Sequence, residues 1–163
     1  MNKLFMLFLI TQLSACVGIT HSQTTKRETY ISAGQTFPIK SLIDINNKTI
    51  QLNKPKQRKL ILLFATWCHD SQRTISDILA SKLSTDPNLQ IVGIGKEESV
   101  TSLKKFKLEY QVSFPLISDP DKAIYDQFAN TGLPRLLLLD ENNKLVKALI
   151  GEDQHTIDRI IWE

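Results

Sequence analysis

The residues with the clearest chemical potential are Trp67-Cys68-His69-Asp70-Ser71, which follow the apolar run Leu60-Ile61-Leu62-Leu63-Phe64-Ala65 and precede an amphipathic stretch. A cysteine between a buried strand and the first turn of a helix sits where unpaired backbone N–H groups and the helix dipole favour thiolate over thiol, which makes the sulfur a nucleophile. A second cysteine one helical turn on would complete a dithiol, but this chain has Ser71 there. That hydroxyl could donate a hydrogen bond to the thiolate and could not close a disulfide with it. His69 adds positive charge when protonated and Asp70 opposes it, so their combined effect on the sulfur is open at the level of sequence.

The elements that must position this pentapeptide read as an alternation. A hairpin over residues 37–52 turns at Asn46-Asn47; a strand runs from Lys59 to Ala65, a helix from Ser71 to Leu83, a strand from Leu89 to Gly95 and a helix from Ser99 to Tyr110. Apolar residues recur at helical spacing in Ile75, Ile78, Leu79 and Leu83, and again in Val100, Leu103, Phe106 and Tyr110. Asp119-Pro120 reads as a helix cap with proline at the first helical position, starting a short helix whose apolar face holds Ile124 and Phe128. Arg135 to Leu139 turns through residues 140–144 and returns as Leu145 to Ile150, a second hairpin. His155 to Trp162 closes the chain as a helix. This order predicts an α/β fold: a mixed central sheet with helices on both faces, preceded by an N-terminal β-hairpin. Gly93-Ile94-Gly95 lacks the rest of a dinucleotide fingerprint and reads as the end of a strand.

With 163 residues, 42% of them hydrophobic and 23% charged, one globular domain is expected. A net charge of +3 gives no nucleic-acid footprint, and Lys54-Pro55-Lys56-Gln57-Arg58-Lys59 reads as a solvated loop. No cofactor is called for. A metal site is disfavoured because His21, His69 and His155 lie far apart and Cys68 with His69 supplies only two ligands.

The start of the chain reads as an address. Lys3 precedes an apolar run from Leu4 to Ile10 that is too short to span a bilayer. Leu13-Ser14-Ala15-Cys16 resembles the lipobox of bacterial lipoproteins, which implies cleavage before Cys16 and acylation of its sulfur and new amine. The division that follows is a signal peptide at 1–15, a lipidated polar tether at 16–30 and a globular domain at 31–163. Cys68 would then be the only thiol of the mature chain, because Cys16 and Cys68 are its two cysteines.

Taken in order, further motifs carry a second resemblance. Phe64-Ala65-Thr66-Trp67-Cys68, Ser113-Phe114-Pro115-Leu116 with Asp119-Pro120-Asp121, Gly132-Leu133-Pro134-Arg135, and residues 138–146 together resemble the extracytoplasmic, membrane-anchored thioredoxin-like thiol-disulfide oxidoreductases of the TlpA/ResA type, over about 31–152. The resemblance implies that Cys68 attacks a disulfide, that Trp67 forms an apolar platform beside it, and that Pro134 is a cis-proline facing the sulfur. It further implies that Leu133 offers backbone hydrogen bonds to a bound chain and that Glu98 handles protons; as a plain sequence feature Glu98 is equally a surface carboxylate at a helix start.

Ser71 departs from the family pattern and removes the internal step that releases substrate. The expected function is exchange through a mixed disulfide resolved by an external thiol, with exported thiol or disulfide proteins or small thiols as partners and the lipid anchor as the link to a bacterial membrane. Val17 after Cys16 leans toward the outer membrane if the cell is Gram-negative. Two other readings stand beside it: a non-catalytic binding or assembly module on the same fold, and a thiol peroxidase. The peroxidase reading is weakened because Ala65 occupies the position, three residues before the cysteine, where peroxiredoxins place a threonine.

Overall fold

The computed structural model describes residues 26–162, so the signal segment, Cys16 and the tether up to residue 25 lie outside the described residues. A two-stranded hairpin, β1 (Ser41–Ile43) and β2 (Thr49–Gln51), opens the domain. It turns at Asn46-Asn47, where Asp44 Oδ1 accepts from the Asn46 and Lys48 amides and Asn47 takes a positive φ of 61°. The main sheet has β3 (Arg58–Phe64), β4 (Leu89–Lys96), β5 (Leu116–Asp119), β6 (Arg135–Leu139) and β7 (Leu145–Ile150), in the order β5-β4-β3-β6-β7. The β3-β4-β5 half is parallel and the β3-β6-β7 half antiparallel. Its two parallel crossovers run through the helices α1 (His69–Ala80) and α2 (Val100–Glu109).

From Leu60 onward β3 is apolar because it is central and covered on both sides. Alternate residues Leu60, Leu62 and Phe64 meet Ile75 and Ile78 of α1 and Leu103 and Phe106 of α2. The others, Ile61, Leu63 and Ala65, meet Phe37, Ile50, Leu52, Tyr125 and Phe128, contributed by the N-terminal segments and a 3₁₀ turn at Tyr125–Gln127. The mixed sheet with helical elements on both faces and an N-terminal hairpin is thus present, with α-helix on one face and a single 3₁₀ turn on the other.

Three local expectations are corrected. No helix starts at Pro120: Asp119 ends strand β5, and its carboxylate caps the later 3₁₀ turn by accepting from the Ile124 and Tyr125 amides at 3.0 and 2.8 Å. β5 itself escapes a sequence pattern because four residues are too few to display a period. The closing helix shrinks to a 3₁₀ turn at Thr156–Arg159, as a short segment rich in β-branched residues cannot sustain an α-helix by itself, and Trp162 Nε1 instead donates to Leu139 O at 3.0 Å. Lys59 is buried within β3 rather than solvated, with Nζ donating to Lys54 O at 2.9 Å, and burial lowers its pKa from the ordinary lysine value. Gly93 and Gly95 lie in the last residues of β4, where the sequence places them.

Candidate active site

β3 ends at Phe64, and after Ala65, Thr66 and Trp67 the chain enters α1 with Cys68 as its N-cap, in extended conformation at φ −87° and ψ 115°. The helix therefore begins two residues earlier than its apolar period indicates, and the sulfur stands at its positive end. The Cys68 side chain makes no capping hydrogen bond to a helix amide; its carbonyl takes the Gln72 N–H at 3.0 Å, while Gln72 Nε2 reaches back to Thr66 O at 2.7 Å. Trp67, 63% exposed, presents indole surface next to a half-buried Cys68.

The second side is the loop before β6. The Leu133–Pro134 peptide is cis, in agreement with the sequence expectation, and Cys68 Sγ lies 3.8 Å from Leu133 O, close enough for the thiol to donate to it. Within the described residues the Leu133 N–H makes no backbone hydrogen bond. Pro134 is held from behind by Gly151, whose N–H donates to Pro134 O at 2.9 Å. A Cβ on Gly151 would fall 2.5 Å from Pro134 Cγ, so only glycine permits this approach. Gly151 in turn is fixed to the helix that carries the sulfur: its carbonyl accepts from Arg73 Nη2 at 2.8 Å and Thr74 Oγ1 at 3.4 Å.

The remaining expected site residues are redistributed. Ser71 is fully buried, and its Oγ accepts the Ala65 N–H at 3.4 Å instead of bonding the sulfur; the geometry of the strand-to-helix turn aims the hydroxyl back at the strand end. Glu98 is not a surface carboxylate but is buried beneath the turn before Cys68. One oxygen accepts from Thr66 N at 2.7 Å and Thr66 Oγ1 at 2.6 Å, the other from Ser102 Oγ at 2.6 Å. All these bonds go to the turn and to α2, so Glu98 reaches Cys68 only through Thr66. Asp70 pairs with Arg73 at 2.6 Å, which spends its charge along the helix and not on the sulfur, and His69 is exposed.

Residues beyond the sequence reading complete the site. Tyr125 Oη donates to Gly132 O at 3.0 Å, and Arg135 Nε donates to Thr131 O at 3.2 Å. Burial raises the Tyr125 phenol above its ordinary pKa, partly offset by the adjacent Arg135 guanidinium, and burial likewise lowers Arg135. Arg73, three residues after Asp70, was accessible as an i,i+3 pair, whereas Gly151 and Tyr125 are joined to the loop only by tertiary contact. Among the described residues no three His, Cys, Asp or Glu side chains converge as a metal site.

The comparisons with known proteins fit this arrangement. The chain is 29% identical over 123 residues to the thiol-disulfide oxidoreductase ResA of Bacillus subtilis, covering 74% of this chain and 69% of that protein. It is 27% identical over 155 residues to the ResA of Bacillus thuringiensis, covering 91% and 88%. Among solved structures, a protein of Bacteroides thetaiotaomicron described as a candidate protein disulfide isomerase superposes with a TM-score of 0.72 at 20% identity, over 81% of this chain and 87% of that one. A thioredoxin-family thiol:disulfide interchange protein of Chlorobium tepidum gives 0.62 at 18% identity, over 80% and 93%. A sequence model of the AhpC/TSA family matches residues 33–148, and with the fold and the cysteine-to-cis-proline geometry in agreement, the chain belongs to the thioredoxin-like AhpC/TSA family.

Proposed function

We propose that this protein carries out thiol-disulfide exchange with one thiol, Cys68. The carrying observation is the sulfur at a helix N-cap, 3.8 Å from the carbonyl of the residue that precedes a cis-proline. In the reaction, the Cys68 thiolate attacks one sulfur of a substrate disulfide, the substrate S–S bond breaks, and the other substrate sulfur leaves as a thiolate. The new bond joins Cys68 Sγ to the substrate. A second, external thiolate then attacks this mixed disulfide and restores the Cys68 thiolate. Ser71 leaves no thiol in the motif for that step, so the nature of the external thiol decides the outcome: a thiol within the substrate gives isomerisation, a small thiol leaves the substrate carrying it as a mixed disulfide that a second small thiol must reduce, and with a glutathionylated substrate glutathione removes the captured glutathione as its disulfide.

Trp67 and the Leu133 N–H are the surface and the donor on which an extended segment of a substrate would lie. Glu98, fixed to Thr66, holds the turn before the cysteine. The names of the ResA relatives support the reaction class. Residues 1–15 are assigned as a lipoprotein signal, Cys16 as the lipid attachment and 16–30 as the tether, which puts the domain outside the cytoplasm on a membrane surface with exported thiol or disulfide proteins as substrates. Among the described residues no helix is long and apolar enough to cross a membrane.

The peroxidase reading loses further support from Thr66, whose hydroxyl is committed to Glu98 at 2.6 Å. The function is tested by acid-quenching cells and identifying whatever is disulfide-linked to Cys68 by mass spectrometry. Defined exported proteins or glutathione at that position are expected; a thiol that is always free would favour the binding-module alternative.

A further inference from the structure

The segment 26–30, placed in the tether by composition, is bonded to the loop that leads into the cis-proline. Tyr30 N donates to Phe128 O at 2.8 Å, Thr29 bridges Ala129 in antiparallel fashion, and Glu28 N donates to Asn130 Oδ1 at 2.8 Å. Asn130 Nδ2 returns a bond to Lys26 O at 2.8 Å, and Arg27 pairs with Glu152, next to the glycine that backs Pro134. The centre of this strap is Thr29, whose Oγ1 accepts from Arg135 Nη1 at 2.8 Å. Arg135 is 2% exposed and directs Nε and Nη2 to the Thr131 carbonyl, so one buried cation joins the strap to the residue two positions before Leu133. Gly132 between them takes φ +90°, one of several conformations open to a glycine, so the bonds to its neighbours select it. Without the Thr29 oxygen, one arm of a buried guanidinium has lost its acceptor, and the arm on Thr131 is no longer fixed in direction.

We propose that Thr29, acting through Arg135, is a positioning residue of the Cys68 site: the chain just after the tether fixes the 131–133 backbone against which the sulfur and its substrate are placed. The effect on substrate capture rests on the thiol-exchange reading, whereas the effect on the loop does not. The tether's last residues thus belong to the site as well as to the link.

The test uses the full chain carrying Thr29→Val, which keeps shape and removes the acceptor, and Thr29→Ser, which restores it. Three quantities are measured: backbone ¹⁵N order parameters of Thr131, Gly132 and Leu133, the rate of Cys68 capture of a disulfide-linked peptide, and the rate of its alkylation by iodoacetamide, which needs no loop. In Thr29→Val the order parameters are expected to fall from about 0.85 toward 0.6. Peptide capture slows about tenfold, the scale of one hydrogen bond to a charged group, with alkylation unchanged, and Thr29→Ser recovers both properties. Order parameters that stay at the wild-type value overturn the proposal, whatever happens to capture. Capture and alkylation falling together, with order lost equally in β3, also overturn it, since that is general destabilisation. If order falls in the loop while the wild-type protein captures no peptide, the positioning stands and the exchange reading fails.

Discussion

The two sides of the Cys68 site are built to different standards. On the cis-proline side, Tyr125, Arg135, Gly151 and the 26–30 strap converge on six residues of loop, with a bond to the carbonyl of Thr131, of Gly132 and of Pro134. On the sulfur side, Cys68 caps its helix without side-chain help, has one long contact to Leu133 O, and is followed by a serine whose hydroxyl is turned to the Ala65 amide. The side that would receive a substrate chain is fully braced, and the side that would release it lacks a second thiol. The contrast separates two tasks that a dithiol site combines: binding a disulfide in line with a thiol, and resolving the product.

The largest expected effect breaks this asymmetry directly. Ser71→Cys supplies a resolving thiol one helical turn from Cys68, and an intramolecular attack should shorten the life of a Cys68 mixed disulfide by about a thousandfold or more, given the effective concentrations that neighbouring groups reach. Quenched-flow mass spectrometry of the adduct reads this; an adduct as long-lived as wild type would mean that position 71 is too deeply buried to reach the sulfur. A smaller effect strikes the opposite side. Gly151→Ala forces a methyl into Pro134 and should cost about 2 kcal/mol of stability by overpacking, read by denaturant unfolding, with slower peptide capture in the folded fraction. No loss of stability would show that the Gly151–Pro134 contact relaxes freely.

The smallest prediction concerns pH. Tyr125→Phe removes the bond to Gly132 O and should cost about 1 kcal/mol at neutral pH. Because burial raises the folded-state pKa of Tyr125 above its ordinary value of 10.0, the folded protein holds this proton more tightly than the unfolded chain does. Its contribution is therefore complete below pH 10 and declines as pH rises through the folded-state pKa. The stability gap between wild type and Tyr125→Phe should be constant from pH 7 to about pH 9 and narrow above pH 10. A gap that narrows from neutral pH upward would contradict the burial of the phenol.

Much of the braced side was invisible to sequence reasoning, for a physical reason. Cys68 announces itself through a local pattern, a buried strand running into a helix, whereas Trp67 and Pro134 were legible only through the family resemblance of the motifs that hold them. β3 and the β6–β7 hairpin were legible because continuous apolar runs and turn formers mark them. Gly151, Tyr125 and Arg135 act by contacts between segments far apart in the chain, and their own neighbourhoods give no period or motif that names the partner. The strap was misplaced because composition sees polar residues 26–30 and not the free edges of residues 128–130 that pair with them. Glu98 was found, yet its burial under Thr66 required the β4–α2 turn, where Gly95 lets the carboxylate's own Cβ approach to 2.9 Å from the position a side chain would need.

If Cys68 starts an exchange it cannot finish alone, the stoichiometry of thiol release reveals it. The protein with Cys16 acylated, or with Cys16→Ser, reduced and freed of small thiols, is mixed with an excess of a disulfide-linked peptide that liberates a coloured thiolate. Exchange through one thiol predicts a burst of one thiolate per chain, a mixed disulfide at Cys68 by mass, no further release, and continuous turnover once glutathione is added. Absence of the burst, or steady turnover in the wild-type protein without any added thiol, would contradict it.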